Sequence, residues 1–118
     1  MKDAAVSFLQ LAASGKTEEA FQRFVGPGFK HHNPYFKGDP VSLKTAMEQN
    51  AREHPEKTFE VQRALQDGDL VAVHSRIGFG GNVIAVVHLF RFVDGKIAEF
   101  WDIGQPVPAQ SPNENGMF

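Results

Sequence analysis

The hydrophobic period of this chain changes once, at Thr58, and that change narrows what it can fold into. Before Thr58 apolar residues recur every three or four positions; after it they alternate. The first spacing lines one face of a helix, the second one face of a strand. Helices first and an antiparallel meander afterwards predict an α+β domain with helices packed on a sheet, not alternating βαβ units.

Ala5, Phe8, Leu9 and Ala12 form a first helical stripe, which Gly15 closes. Thr17 reads as the N-cap of a second helix, with Glu18 and Glu19 in its first turn and Ala20, Phe21, Phe24 and Val25 as its stripe. Gly26-Pro27-Gly28 ends it, and a short extended piece follows at 29–33, before Pro34. Asp39 as N-cap and Pro40 at the first helical position open a third helix carrying Leu43, Ala46, Met47 and Ala51, which His54-Pro55 ends. Four strands are expected at 58–67, 70–79, 83–93 and 96–103, joined by Asp67-Gly68-Asp69, Gly80-Gly81-Asn82 and Asp94-Gly95. Residues 104–118, rich in Pro, Gln and Asn, read as an irregular tail with an apolar finish at Met117-Phe118. The whole of 1–118 is expected to be one domain.

With no cysteine, the chain has no disulfide and no thiolate metal ligand. A net charge of −2 with interspersed signs gives no nucleic-acid footprint, and no apolar run approaches the roughly 20 residues of a membrane span. The absence of a leader-like segment makes the cytoplasm the expected location. Eleven phenylalanines beside one Trp and one Tyr supply large buried area without polar handles, suited to the dry wall of a cavity.

Alternation sorts the strands into faces. Ile84, Val86, His88, Phe90 and Phe92 lie together, opposite Ala85, Val87, Leu89 and Arg91. Leu70, Ala72, His74 and Arg76 oppose Val71, Val73 and Ser75. On the last strand Ala98, Phe100 and Asp102 oppose Ile97, Glu99, Trp101 and Ile103. Both faces are substantially apolar, so one is expected to cover a cavity under the helices and the other to meet a second copy of the chain. A carboxylate on the concave side beside Phe100 makes Asp102 the candidate general acid or base. His31 and His32 are adjacent on an extended segment, so only one points inward, and alternation alone does not choose between them.

The run His31-His32-Asn33-Pro34, the strand residues Val71-Ala72-Val73-His74, the stretch Leu89-Phe90-Arg91-Phe92 with Asp94-Gly95-Lys96-Ile97, Glu99 and Trp101-Asp102, and the ending Gln105-Pro106-Val107-Pro108 with Asn115-Gly116-Met117-Phe118 resemble the SnoaL-like proteins. These belong to the nuclear transport factor 2-like superfamily. The resemblance implies a cone-shaped α+β fold whose curved, mostly antiparallel sheet encloses a pocket. It aligns the family histidine with His32, which makes His31 the outward neighbour, and it matches His74 and Asp102 to family positions. Polyketide cyclases of the family use a pocket aspartate as acid/base in an aldol-type ring closure. Two positions depart from similar sequences: His88 stands where an aspartate is frequent, and Phe100 where a histidine is frequent.

Chemistry separates neighbouring activities. An isomerase-type oxyanion hole needs an inward tyrosine, and Tyr35 sits in a loop beside prolines. An epoxide-hydrolase arrangement needs an arginine flanked by acids, and Ala98 and Phe100 accompany Asp102 instead. The leading expectation is a cofactor-independent cyclase- or isomerase-type enzyme acting on a small apolar carbonyl compound. Asp102, His32 and His88 would be its catalytic residues, and His74, Phe90, Phe92 and Phe100 would bind substrate. The alternative is a non-catalytic pocket for a small apolar ligand. A histidine–aspartate metal site ranks third, because its ligands come from separate strands with no local spacing motif.

Overall fold

A computed structural model describes all residues, Met1–Phe118. Helices α1 (Lys2–Ala13) and α2 (Thr17–Phe24) precede a short strand β1 (Val25–His31), and helix α3 (Pro40–Glu53) leads into β2 (Thr58–Asp67), β3 (Leu70–Phe79), β4 (Asn82–Val93) and β5 (Lys96–Pro106). The sheet runs β1-β5-β4-β3-β2, antiparallel except for β1, which lies parallel to β5. The α+β class and the period change at Thr58 are therefore both present. Asp39 caps α3 as its sequence position indicates, accepting from the Ser42 amide at 2.9 Å with Pro40 following. No helix is long and apolar enough to cross a membrane.

The helices attach to the sheet through phenylalanine. Phe8 is fully buried, with its ring 5.4 Å from Phe21, 6.0 Å from Phe90 and 5.9 Å from Phe100, the last two edge-on. Phe90 and Phe100 are themselves 5.2 Å apart on neighbouring strands. Edge-on packing places the positive rim of one ring on the negative face of another and adds to the burial energy. One helical residue thus pins α1 to the two central strands.

The β4–β5 hairpin departs from simple alternation. Asp94 (φ 51°) and Gly95 (φ 78°) both lie in the left-handed region, the primed turn that joins strands across two residues. It sets Val93 opposite Lys96 and Phe92 opposite Ile97. The next pair is Arg91 with Glu99, so Ala98 is an unpaired extra residue, a β-bulge. Ile97 therefore shares the concave face with Phe92 and Phe100 and is fully buried in the core, not on the Glu99 face as strict alternation predicts.

Two boundaries also move. Helix α2 ends at Phe24 and β1 begins at Val25, before Gly26-Pro27-Gly28 rather than after it at 29. β5 continues to Pro106, because Gly104, Gln105 and Pro106 pair with Val86, Ala85 and Ile84, so the tail without regular structure begins at 107 rather than 104. Ladder partners override the poor strand propensity of those residues. The tail's apolar end docks on the outer face: Phe118 stacks on His74 with centroids 5.8 Å apart.

The bulge gives a directional expectation. Deleting Ala98 should leave Ile97, Phe100 and Asp102 on the concave side, with a stability loss of about 1–3 kcal/mol. Deleting Leu89 from β4, where no extra residue can absorb it, turns His88, Val86 and Ile84 outward and should abolish cooperative unfolding. Urea titrations of the two deletions followed by circular dichroism check both outcomes.

Candidate functional site

Between the concave face, α1, α3 and the loop after β1 lies a cavity of about 460 Å³. Twelve of its 17 lining residues are hydrophobic, among them Leu9, Leu43, Met47, Phe59 and Ile77, so its few polar groups govern what it can do. Those groups are Asn33, Asn50, Lys57, His88 and Asp102.

His88 and Asp102 are directly opposed on β4 and β5, which places their side chains on the same face as neighbours. His88 is 7% exposed and lies over the Phe100 ring, with centroids 5.4 Å apart. Burial pushes its pKa down to about 4, so the imidazole is neutral near pH 7. Its Nδ1 and one Asp102 oxygen, Oδ1, are both buried without a hydrogen-bond partner. The other oxygen, Oδ2, accepts from Asn33 Nδ2 at 2.9 Å. The orientation of Asn33 is fixed in turn, because its Oδ1 accepts the Tyr35 amide at 2.9 Å and only its NH₂ remains for the carboxylate.

His31 supports this arrangement from below. Its Nδ1 accepts the Asn33 amide at 3.1 Å, so the ring proton belongs on Nε2, which donates to the Lys37 carbonyl at 2.5 Å. Both ring nitrogens are thereby satisfied, and residues 31–37 close into a braced loop that presents Asn33 to Asp102.

The inward and outward assignments of the two adjacent histidines are thus the reverse of those implied by resemblance. β1 pairs in parallel with β5 so that His31 stands beside Phe100, which turns His31 into the core at 5% exposure. His32 consequently faces out, stacked flat on Trp101 at 4.8 Å and bonded to Glu99 at 2.6 Å. Glu99 also meets Arg91 at 3.0 Å and Lys30 at 3.7 Å, and its carboxyl is held below the usual range chiefly by the His32 hydrogen bond. This charged cluster lies on the opposite side of the sheet from the cavity.

His74 is likewise outside, since it pairs with Val87 on the convex face, where it contacts Arg63 and Phe118. Phe90, Phe92 and Phe100 do face inward but are packed into the core at 0–4% exposure and do not line the cavity. They form its floor support rather than its wall. Of the seven residues singled out from the sequence, His88 and Asp102 are the two brought together at the cavity surface.

Sequence reasoning missed Asn33, Asn50 and Lys57 as cavity groups. Asn33 stood in the motif next to the histidines, and its place before Pro34 was a usable signal. Lys57, in the turn between α3 and β2, reads locally as a solvated charge, and only tertiary packing brings it inward. Tyr35 borders the cavity mouth but is 84% exposed, so it offers no desolvated hydroxyl there. No cluster of three histidine or acidic side chains is arranged to hold a metal ion.

Comparison with known structures finds the same architecture elsewhere. AclR of Streptomyces galilaeus, provisionally named a hydroxylase, superposes with a TM-score of 0.74 at 20% identity over 88% of this chain and 87% of its own. IdmH of Streptomyces antibioticus, provisionally a polyketide cyclase, gives 0.71 at 22% over 87% and 90%. A Bacillus cereus protein, also provisionally a polyketide cyclase, gives 0.74 at 22% over 86% and 72%. At these identities the likeness establishes the fold. No curated protein matches the sequence significantly. The SnoaL-like domain family matches residues 5–100, from α1 through the hairpin that carries the bulge. A match over that span, on a cone of helices and curved sheet enclosing a pocket, means that this chain belongs to the SnoaL-like family.

Proposed function

We infer that the chain is a cofactor-independent acid–base enzyme that abstracts a proton α to the carbonyl of a small, largely apolar compound. The observation that carries this reading is the directly opposed Asp102–His88 pair on the cavity floor, each with a buried polar atom that has no partner. Such an atom costs about 1–3 kcal/mol when it has no partner, and at the cavity surface an entering polar group can supply one. The provisional naming of two structural neighbours as polyketide cyclases is consistent with it.

In this reading the Asp102 carboxylate, oriented by Asn33, takes the α proton. The C–H electron pair forms the enolate double bond, and the carbonyl π electrons move to oxygen. His88, neutral because it is buried, donates a hydrogen bond to that oxygen as negative charge develops. A fixed donor in apolar surroundings needs no solvent reorganisation, so it acts most strongly at the transition state. Return of the proton to another carbon gives isomerisation. Attack of the enolate carbon on a second carbonyl of the same molecule gives ring closure, with the proton passing from Asp102 to the new alkoxide.

Deuterium exchange into 2-tetralone, followed by NMR, tests the proton transfer. Wild type should exchange above the buffer rate. Asp102→Asn should lower the enzymatic rate by about 10²–10⁴-fold, and His88→Phe by about 10²–10³-fold. His32→Ala should leave it unchanged, because that ring is on the other side of the sheet. Saturable binding of the ketone with exchange no faster than buffer would favour a non-catalytic ligand pocket instead.

His88 also makes stability depend on pH. Its folded pKa of about 4 lies below the ordinary value of 6.5, so between these values the unfolded chain binds the proton and the native state does not. This contribution is fully present above about pH 6.5 and is lost as pH falls through about 4, amounting to about 3 kcal/mol. Urea unfolding of His88→Phe at pH 7.5 and pH 4 should show a smaller acid-induced loss than wild type by about that amount.

A further inference from the structure

The cavity has a second polar end, remote from Asp102. Lys57 enters it from the turn before β2, where Thr58 stands opposite Gly78 and Gly78 opposite Val83. Val83 is five residues from His88 along β4, about 17 Å of extended strand. The Lys57 side chain is half-buried, and its Nζ donates to Asn50 Oδ1 at 2.5 Å. It takes part in no ion pair, although seven such pairs are formed elsewhere in the molecule. Burial alone lowers its pKa; no neighbouring acid offsets the loss of water. An ammonium carries three donors, and Asn50 uses one.

A cation held against apolar walls without a counter-charge favours an anion that can enter with it. The other charge in the cavity is the Asp102 carboxylate, which repels an anion from its own end. The cavity is therefore polarised: a cationic anchor at one end, a base and a neutral donor at the other, and hydrophobic side chains between.

We propose that Lys57, steadied by Asn50, anchors an anionic oxygen of the ligand, so that the cavity takes an apolar molecule bearing a carboxylate at the end away from Asp102. This names the substrate class for the site described above. It rests on that reading only for which end of the ligand meets Asp102, and the anchoring itself requires no turnover.

Fluorescence titration with 9-anthracenecarboxylate and with the neutral 9-anthracenemethanol tests it. Wild type should bind the carboxylate about tenfold more tightly or better. Lys57→Met should erase that preference, so that the two probes bind with equal affinity, and Lys57→Arg should retain most of it. Asp102→Asn should keep the preference even where it abolishes deuterium exchange, which separates failure of the anchor from failure of the proton transfer. Equal affinity of wild type for the two probes overturns the proposal by itself, whether or not any variant folds. Retention of the preference in Lys57→Met also overturns it. So does borohydride trapping of 9-anthracenecarboxaldehyde on Lys57, since that would make the amine a nucleophile rather than an anchor.

Discussion

The register of the β4–β5 hairpin is the constraint on which the rest of the molecule depends. A two-residue turn at Asp94-Gly95 followed by uninterrupted pairing would set Phe90 opposite Glu99 and His88 opposite Trp101. Glu99 would then point into the phenylalanine core, and Asp102 would leave the cavity. The one extra residue, Ala98, shifts the phase by one position, so that Ile97 before it and Phe100 and Asp102 after it all face inward. Because side chains alternate strictly along a strand, a single unpaired residue exchanges the two faces of everything beyond it. The same bulge puts Glu99 and Trp101 outside, where they meet His32, Lys30 and Arg91.

Packing and chemistry are coupled through this hairpin. Phe90 and Phe100 hold α1 through Phe8, and the residues two positions further from the turn on each strand are His88 and Asp102. The site is thus built next to the fully buried phenylalanine cluster, which suits a group that must hold its geometry. The loop of residues 31–37 completes it from the side. His31 braces that loop by two hydrogen bonds, and Asn33 transmits the bracing to the Asp102 carboxylate. His31 thereby fixes the loop that presents Asn33, and Asn33 in turn fixes the orientation of the Asp102 carboxylate.

Much of the fold was legible in the sequence because its signals are local. The change of period at Thr58, the Asp39-Pro40 helix start, the Asp94-Gly95 turn and the alternation of β3 and β4 each follow from a few adjacent residues. The faces of β4 were legible too, and with them the inward position of His88. Asp102 was correctly placed beside Phe100, although the bulge that makes this consistent with the hairpin register was not visible. A bulge leaves no mark in composition, since Ala98 is an unremarkable strand residue.

The sequence by itself determined the fold class, the order of elements and the phenylalanine-rich core, because periodicity and turn chemistry act over short separations. Only the tertiary structure decided which histidine faces in, because His31 and His32 differ solely in how parallel pairing with Phe100 sets their register. Tertiary structure also carried His74 to the outer face, extended β5 to Pro106 and brought Lys57 into the cavity. Each of these outcomes depends on partners distant in sequence, whose ladder bonds and burial outweigh the local preferences that a reading of the chain can detect.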